Sequence, residues 1–165
     1  MSAASNGETN DALNPRGSAW VGANAGAGKT YILVSRLARL MLDGVKPERL
    51  LCLTYTRAAA AEMQVRLFDL LAEWALLDDA KLRAAIEKRL DIQIDAETLH
   101  RARILFAQAM ETPGGLRLQT IHGFCESLLK RFPLEAGLSP HFDLMDEQDA
   151  QTLQSTVMSL SLIHI

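Results

Sequence analysis

The sequence predicts an α/β fold, a parallel sheet with flanking helices, and two observations carry that expectation. The first is a glycine-rich loop, Gly22–Thr30, set between a short apolar run and an amphipathic stretch. The second is a continuous apolar run just downstream, Leu50–Leu53 (LLCL). Such a run reads as a strand buried on both faces of a parallel sheet. Strand, crossover helix and second strand make one βαβ unit, which places the chain in the α/β class.

The elements follow in order. Ser18–Ala23 (SAWVGA) is apolar and ends in glycine-rich chain, so it predicts the first strand. Thr30–Leu42 carries Ile32, Leu33, Leu37, Leu40 and Met41 as a helical stripe, which Gly44 and Pro47 stop. From Arg57 a long helix is expected, with Met63, Leu67, Leu70, Trp74 and Leu77 on one face. Glu62 and Arg66 are spaced to pair one turn apart on another face. Two more amphipathic stretches lie near Ala80–Leu90 and Ala96–Met110, and Thr112-Pro-Gly-Gly breaks the second. Arg117–Ile121 predicts a third strand, His122–Phe132 a helix, and a last helix starts at about Asp146.

At 165 residues the chain is long enough to bury a core, and 48% hydrophobic with 22% charged residues is ordinary for a globular protein. No apolar run approaches the roughly 18–20 residues of a membrane span. The opening MSAASNGETNDALNP lacks the basic start and apolar centre of a signal peptide. It predicts a flexible lead-in over residues 1–14. Cys52 and Cys125 give neither a disulfide framework nor a four-cysteine metal site, which fits a reducing cytoplasm. The net charge is −3, and its distribution matters. Residues 1–66 hold eight Lys/Arg against five Asp/Glu, and residues 67–165 hold nine against fifteen. There is no polybasic arm, so any grip on nucleic acid comes from placed residues and not from a global field.

Chemistry concentrates in Ala23-Asn24-Ala25-Gly26-Ala27-Gly28-Lys29-Thr30, one residue away from the phosphate-loop pattern G-x-x-x-x-G-K-[ST]. Gly26 and Gly28 let the backbone curl until successive N–H groups converge on phosphate oxygens. The helix that follows would aim its N-terminus at the same point. Lys29 would bridge the β- and γ-phosphates, and the Thr30 hydroxyl would hold Mg²⁺. Ala23 stands where the pattern has Gly and need only be small. A dinucleotide fingerprint fits poorly, because G-x-G-x-x-G is absent. The loop by itself admits a small kinase, a GTPase, a motor, or a module that binds nucleotide without hydrolysing it. No guanine-reading N-K-x-D occurs.

Two further segments discriminate. Leu51-Cys-Leu-Thr-Tyr-Thr-Arg-Ala-Ala-Ala-Ala-Glu-Met63 and Gln119-Thr-Ile-His-Gly-Phe-Cys125 resemble, in order, two DNA-contact motifs of the UvrD-like superfamily 1 helicases. The spellings SAWVGANAGAGKT, LLCLTYTRAAAAEMQ and LQTIHGFCESLLKRFPLEAG are similar to the alphaproteobacterial AddA type, the helicase–nuclease subunit of AddAB double-strand-break repair complexes. The resemblance covers roughly residues 14–150. It implies a P-loop NTPase with a RecA-like parallel sheet (domain 1A) over 15–133, and the start of an inserted helical domain (1B) over 134–159. It also implies ATP with Mg²⁺, an AddB-type partner, and 3′–5′ movement along single-stranded DNA entered at a duplex end or junction. Thr54, Thr56, Arg57, Thr120 and His122 are the implied DNA contacts. Thr54 and Thr56 follow a strand at the edge where open α/β sheets bind ligands, and Arg57 opens a helix suited to a phosphate. Tyr55 and Phe124 could each pack inward or face a base. Phe124 is assigned to the core, Cys125 to buried filler, and Ala58–Ala61 to close packing on the sheet.

The pattern also departs from the family. Relatives carry an adenine-reading Gln upstream of the loop, but no Gln precedes Gln64 and the position falls near Thr9. No D-E-x-x-D-like acidic run follows a strand. A UvrD-like motor without a nuclease fits the same residues. Leu160-Ser-Leu-Ile-His-Ile165 is what the transposase sequencing-adapter end CTGTCTCTTATACACATC encodes in one frame. Residues 160–165 are therefore expected to be adapter translation joined to a truncated gene.

Overall fold

A computed structural model describes residues 11–22 and 28–163. The chain divides into two compact units, Met1–Ile121 and His122–Ile165.

In the first unit α1 (Lys29–Leu42) passes through a 3-10 turn (Pro47–Arg49) into β1 (Leu51–Thr54). Three helices follow, α2 (Arg57–Leu76), α3 (Asp79–Leu90) and α4 (Ala96–Met110), and then β2 (Arg117–Thr120). β1 and β2 form a parallel two-stranded sheet with Leu51 opposite Arg117, Cys52 opposite Leu118, Leu53 opposite Gln119 and Thr54 opposite Thr120. The α/β class is therefore observed.

Helices α2, α3 and α4 each begin where the sequence supplies a cap. The side chains of Thr56, Asp78 and Asp95 accept from the N–H groups of Ala59, Lys81 and Thr98, satisfying donors that the first turn leaves without intrahelical partners. The break after α4 uses consecutive glycines at positive φ, Gly114 (76°) and Gly115 (73°), a conformation that costs a side-chain-bearing residue about 1–2 kcal/mol. Glu62 and Arg66 pair at 2.6 Å as their spacing predicts.

The core is a helical layer on one face of the sheet. Met63, Leu67, Leu70, Leu71 and Trp74 of α2 meet Leu99, Ala102, Leu105 and Ala109 of α4. Val34, Ala38, Met41 and Leu42 of α1 and Leu82, Ile86 and Leu90 of α3 close the cluster. Burying each large side chain is worth about 1.5–3 kcal/mol. Phe68 and Phe106 meet edge to face at 6.2 Å. Cys52 faces inward, its thiol 3.2 Å from the Met63 sulfur, and burial pushes that thiol's pKa up.

Several expectations are corrected. No strand forms over residues 18–22: Trp20 is 97% exposed, and among the described residues the only ladder is that of β1 with β2. Leu50–Leu53 is not buried on both faces, because all the packed helices lie on the Cys52 side; Leu51 and Leu53 are 45% and 40% exposed. In α1 the buried face runs through Val34, Leu37, Ala38, Met41 and Leu42, so Leu33 points out. Of Ala58–Ala61, Ala60 is buried. Within the lead-in, residues 11–13 are helical, with Ala12 and Leu13 buried. The Arg36 guanidinium holds that segment through the carbonyls of Ala12 (2.7 Å), Asn14 (2.9 Å) and Gly17 (2.6 Å).

The second unit contains α5 (Ile121–Arg131, whose first residue closes the first unit) and α6 (Glu147–Ile163). Asp146 caps α6 by accepting from the N–H of Asp149. α5 has no buried residue: Cys125 is exposed, and Phe124 is half-buried and outside the core cluster, so neither takes the interior place expected of it. No described helix is long and apolar enough to cross a membrane.

Candidate functional site

Gly28 precedes α1 at φ 84° and ψ 13°, the left-handed region. Among the described residues a Cβ there would meet nothing within 4 Å, so the left-handed backbone is what calls for glycine. The Gly28 carbonyl accepts from the N–H of Ile32 at 3.0 Å, closing the first turn. No side chain caps this helix start and no acidic residue occupies its first turn, in contrast to the capped starts of α2, α3 and α4. The partial positive charge of such a helix end suits an anion. Lys29 is exposed and Thr30 half-buried in that first turn. These features fit a nucleotide phosphate. Ala23, Asn24, Ala25, Gly26 and Ala27, the rest of the expected cradle, lie outside the described residues.

The second group of residues gathers at the carboxyl edge of the sheet. Thr54 ends β1 and Thr120 ends β2, and the parallel register sets them directly opposite each other. Residues far apart in sequence, from two separate motifs, thereby meet at one edge. Thr54 Oγ1 donates to the Thr56 carbonyl at 2.9 Å, which fixes the turn between strand and helix. Thr56 Oγ1 accepts from the Ala59 N–H at 3.1 Å, and Arg57, exposed, opens α2. Tyr55 is 81% exposed between the two threonines and does not enter the core. His122 is exposed as the second residue of α5 and belongs to the second compact unit. Among the described residues no group of three or more His, Cys, Asp and Glu is placed to hold a metal ion.

The model of the UvrD/REP helicase N-terminal domain matches residues 5–163. The chain belongs to the UvrD/REP helicase family. Curated relatives, each named as an ATP-dependent helicase/nuclease, extend the match. The one from Pediococcus pentosaceus is 31% identical over 137 residues, 83% of this chain and 10% of its own length. The protein from Pelotomaculum thermopropionicum is 32% identical over 159 residues, 94% of this chain and 11% of its own. That from Desulforamulus reducens is 36% identical over 141 residues, 84% and 10% respectively. This UvrD/REP domain thus spans about a tenth of the length of the relatives it matches. No solved structure matches it.

Sequence reasoning gave no role to Arg89 or Ser35. Arg89 reaches from α3 to α1, where its Nε donates to Ser35 Oγ at 3.0 Å. Nothing in the local sequence signals a pairing between residues this far apart. Only the packing of α3 on α1 creates it.

Proposed function

We propose that this chain is the nucleotide- and DNA-binding front of an ATP-dependent 3′–5′ DNA helicase of the AddA type, acting in double-strand-break repair and recombination. On this reading the first unit is part of a RecA-like P-loop domain. Lys29 and Thr30, with the N–H groups of the Ala23–Gly28 loop, hold the phosphates of ATP and its Mg²⁺. Mg²⁺ would supply charge neutralisation at the β- and γ-oxygens.

The observation that carries the reading is the registered pair Thr54–Thr120 at the carboxyl edge, beside the Arg57 end of α2. A helix N-terminus bearing the exposed Arg57 cation, held beside a rigid sheet edge whose turn the Thr54 hydroxyl fixes, suits the phosphates of a single strand. Such contacts fix where the strand lies without reading its sequence, as a motor that steps along any DNA requires. Tyr55, exposed between Thr54 and Thr56, offers its ring to a base, and His122 is the remaining contact that this reading implies. A nuclease and an AddB-type partner belong to the longer protein that this reading implies.

The test is ATP turnover by the protein at the full length of its relatives, with and without single-stranded DNA. DNA should stimulate hydrolysis. The Lys29→Ala variant should lose ATP turnover and unwinding while its thermal unfolding stays within a few degrees of wild type. Wild-type turnover in that variant would sink the assignment. Hydrolysis indifferent to DNA would favour a kinase- or GTPase-like P-loop protein, and binding without hydrolysis a nucleotide-binding module.

A further inference from the structure

The first two turns of α1 carry Lys29 and Thr30, and this helix start has no side-chain cap. A helix end without a cap frays unless something else restrains it. Arg89 supplies such a restraint from outside the helix. Its guanidinium carbon lies 4.2 Å from the centroid of the Tyr31 ring, and its Nε donates to Ser35 Oγ at 3.0 Å. Tyr31 follows Thr30 directly, and Ser35 lies one turn further along the same helix. One rigid, planar cation therefore grips two successive turns, stacking on an aromatic face with its plane and hydrogen-bonding with its edge.

The surroundings strengthen this grip. Ser35 is fully buried, so water cannot readily take the place of the Arg89 donor, and losing it would leave a buried hydroxyl without that partner. Burial lowers the Arg89 pKa from its ordinary value, while Tyr31 and Glu73 pull it back up, and the group remains a cation. On the same helix, Arg36 ties down the chain at Ala12, Asn14 and Gly17, upstream of the phosphate loop. The helix that presents Lys29 and Thr30 is thus held by two arginines, with Arg89 nearest to its functional end.

We infer that Arg89 is a positioning residue for nucleotide binding, acting through Tyr31 and Ser35 to set where Lys29 and Thr30 meet the phosphates. This rests on the nucleotide-binding role proposed above. Misplacing such groups by about 1 Å can cost up to about 10²-fold in rate, so a loosened first turn is measurable.

The experiment uses the full-length protein and compares Arg89→Ala, Ser35→Ala and Lys29→Ala. Arg89→Ala should raise the KM for ATP about tenfold, with kcat at saturating ATP within about twofold of wild type and an unchanged Kd for single-stranded DNA. Its unfolding temperature should also respond less to added ATP-Mg²⁺. Ser35→Ala, which removes only the hydrogen bond, should raise the KM about threefold. A purely structural role would lower the unfolding temperature and leave the KM untouched; that outcome in either folded variant overturns the inference. If Arg89→Ala does not fold, Ser35→Ala decides alone. Lys29→Ala separates the two claims. Turnover surviving in it refutes the motor reading, whereas loss there with a wild-type KM in the Arg89 and Ser35 variants refutes only the role of Arg89.

Discussion

Gly28 shows how one residue links backbone geometry to function. At φ 84° with open space around its missing Cβ, it could be replaced without a clash, and the penalty of Gly28→Ala comes entirely from the left-handed backbone. That strain is about 1–2 kcal/mol. The chain can relieve it by rotating the first peptide of α1, which would turn N–H groups away from a bound phosphate. Gly28→Ala should therefore lower the unfolding temperature by about 2–8 °C in a protein of this size. It should weaken ATP binding by more than that loss of stability accounts for. Titration with ATP-Mg²⁺ beside a thermal scan checks both, and unchanged ATP affinity would show that this backbone conformation does not serve the nucleotide. Thr54 and Thr56 work the other way. Their hydroxyls are already engaged in building the strand–helix turn, so removing either disturbs the fold and the proposed DNA edge together.

At the scale of elements, α3 and α4 are both started by aspartates. Hydrogen bonds from Lys81 hold the Asp78 carboxyl below its ordinary pKa, and hydrogen bonds from Thr98 do the same for Asp95. A carboxylate with a depressed folded pKa contributes stability that is fully present above the unfolded value, about 3.9. That contribution is lost as pH falls through the lower, folded value. Asparagine caps about as well but does not titrate. The Asp78→Asn, Asp95→Asn double variant should thus match wild type at neutral pH and lose less of its unfolding temperature below about pH 4. Identical acid profiles would remove the two caps from the account. These helices were legible in the sequence because their signals are local: Ala96–Met110 is found at its expected limits, and the Glu62–Arg66 pair at its expected spacing. The helix after the glycine-rich loop and the strands ending at Thr54 and Thr120 were legible for the same reason. What stayed hidden depends on partners distant in the chain. Trp20 and Val21 read as strand but have no ladder partner, and Arg89 reads as an ordinary helix-end cation until α3 lies against α1.

For the molecule as a whole, the unbalanced sheet is the governing fact. An α/β sheet is stable when helices cover both of its faces. Among the described residues the packed helices cover only the Cys52 face, leaving Leu51 and Leu53 about half open to water. On the RecA-like reading proposed above, a longer protein would lay further structure against that face and make Leu51–Thr54 an interior strand. Among the described residues β1 and β2 pair only with each other and turn Leu51 and Leu53 outward, a combination that templates association through further strand pairing. The isolated chain should therefore self-associate as its concentration rises and bind a hydrophobic dye. Leu53→Lys places a charge on the open face without touching the helical core, and it should shift light scattering towards the monomer and reduce dye binding. In the full-length protein the same substitution should do the opposite and destabilise the fold, because there the lysine would be buried. A variant that behaves alike in both lengths would show that the outer face of β1 is a true surface and would overturn the expectation of a further layer on it.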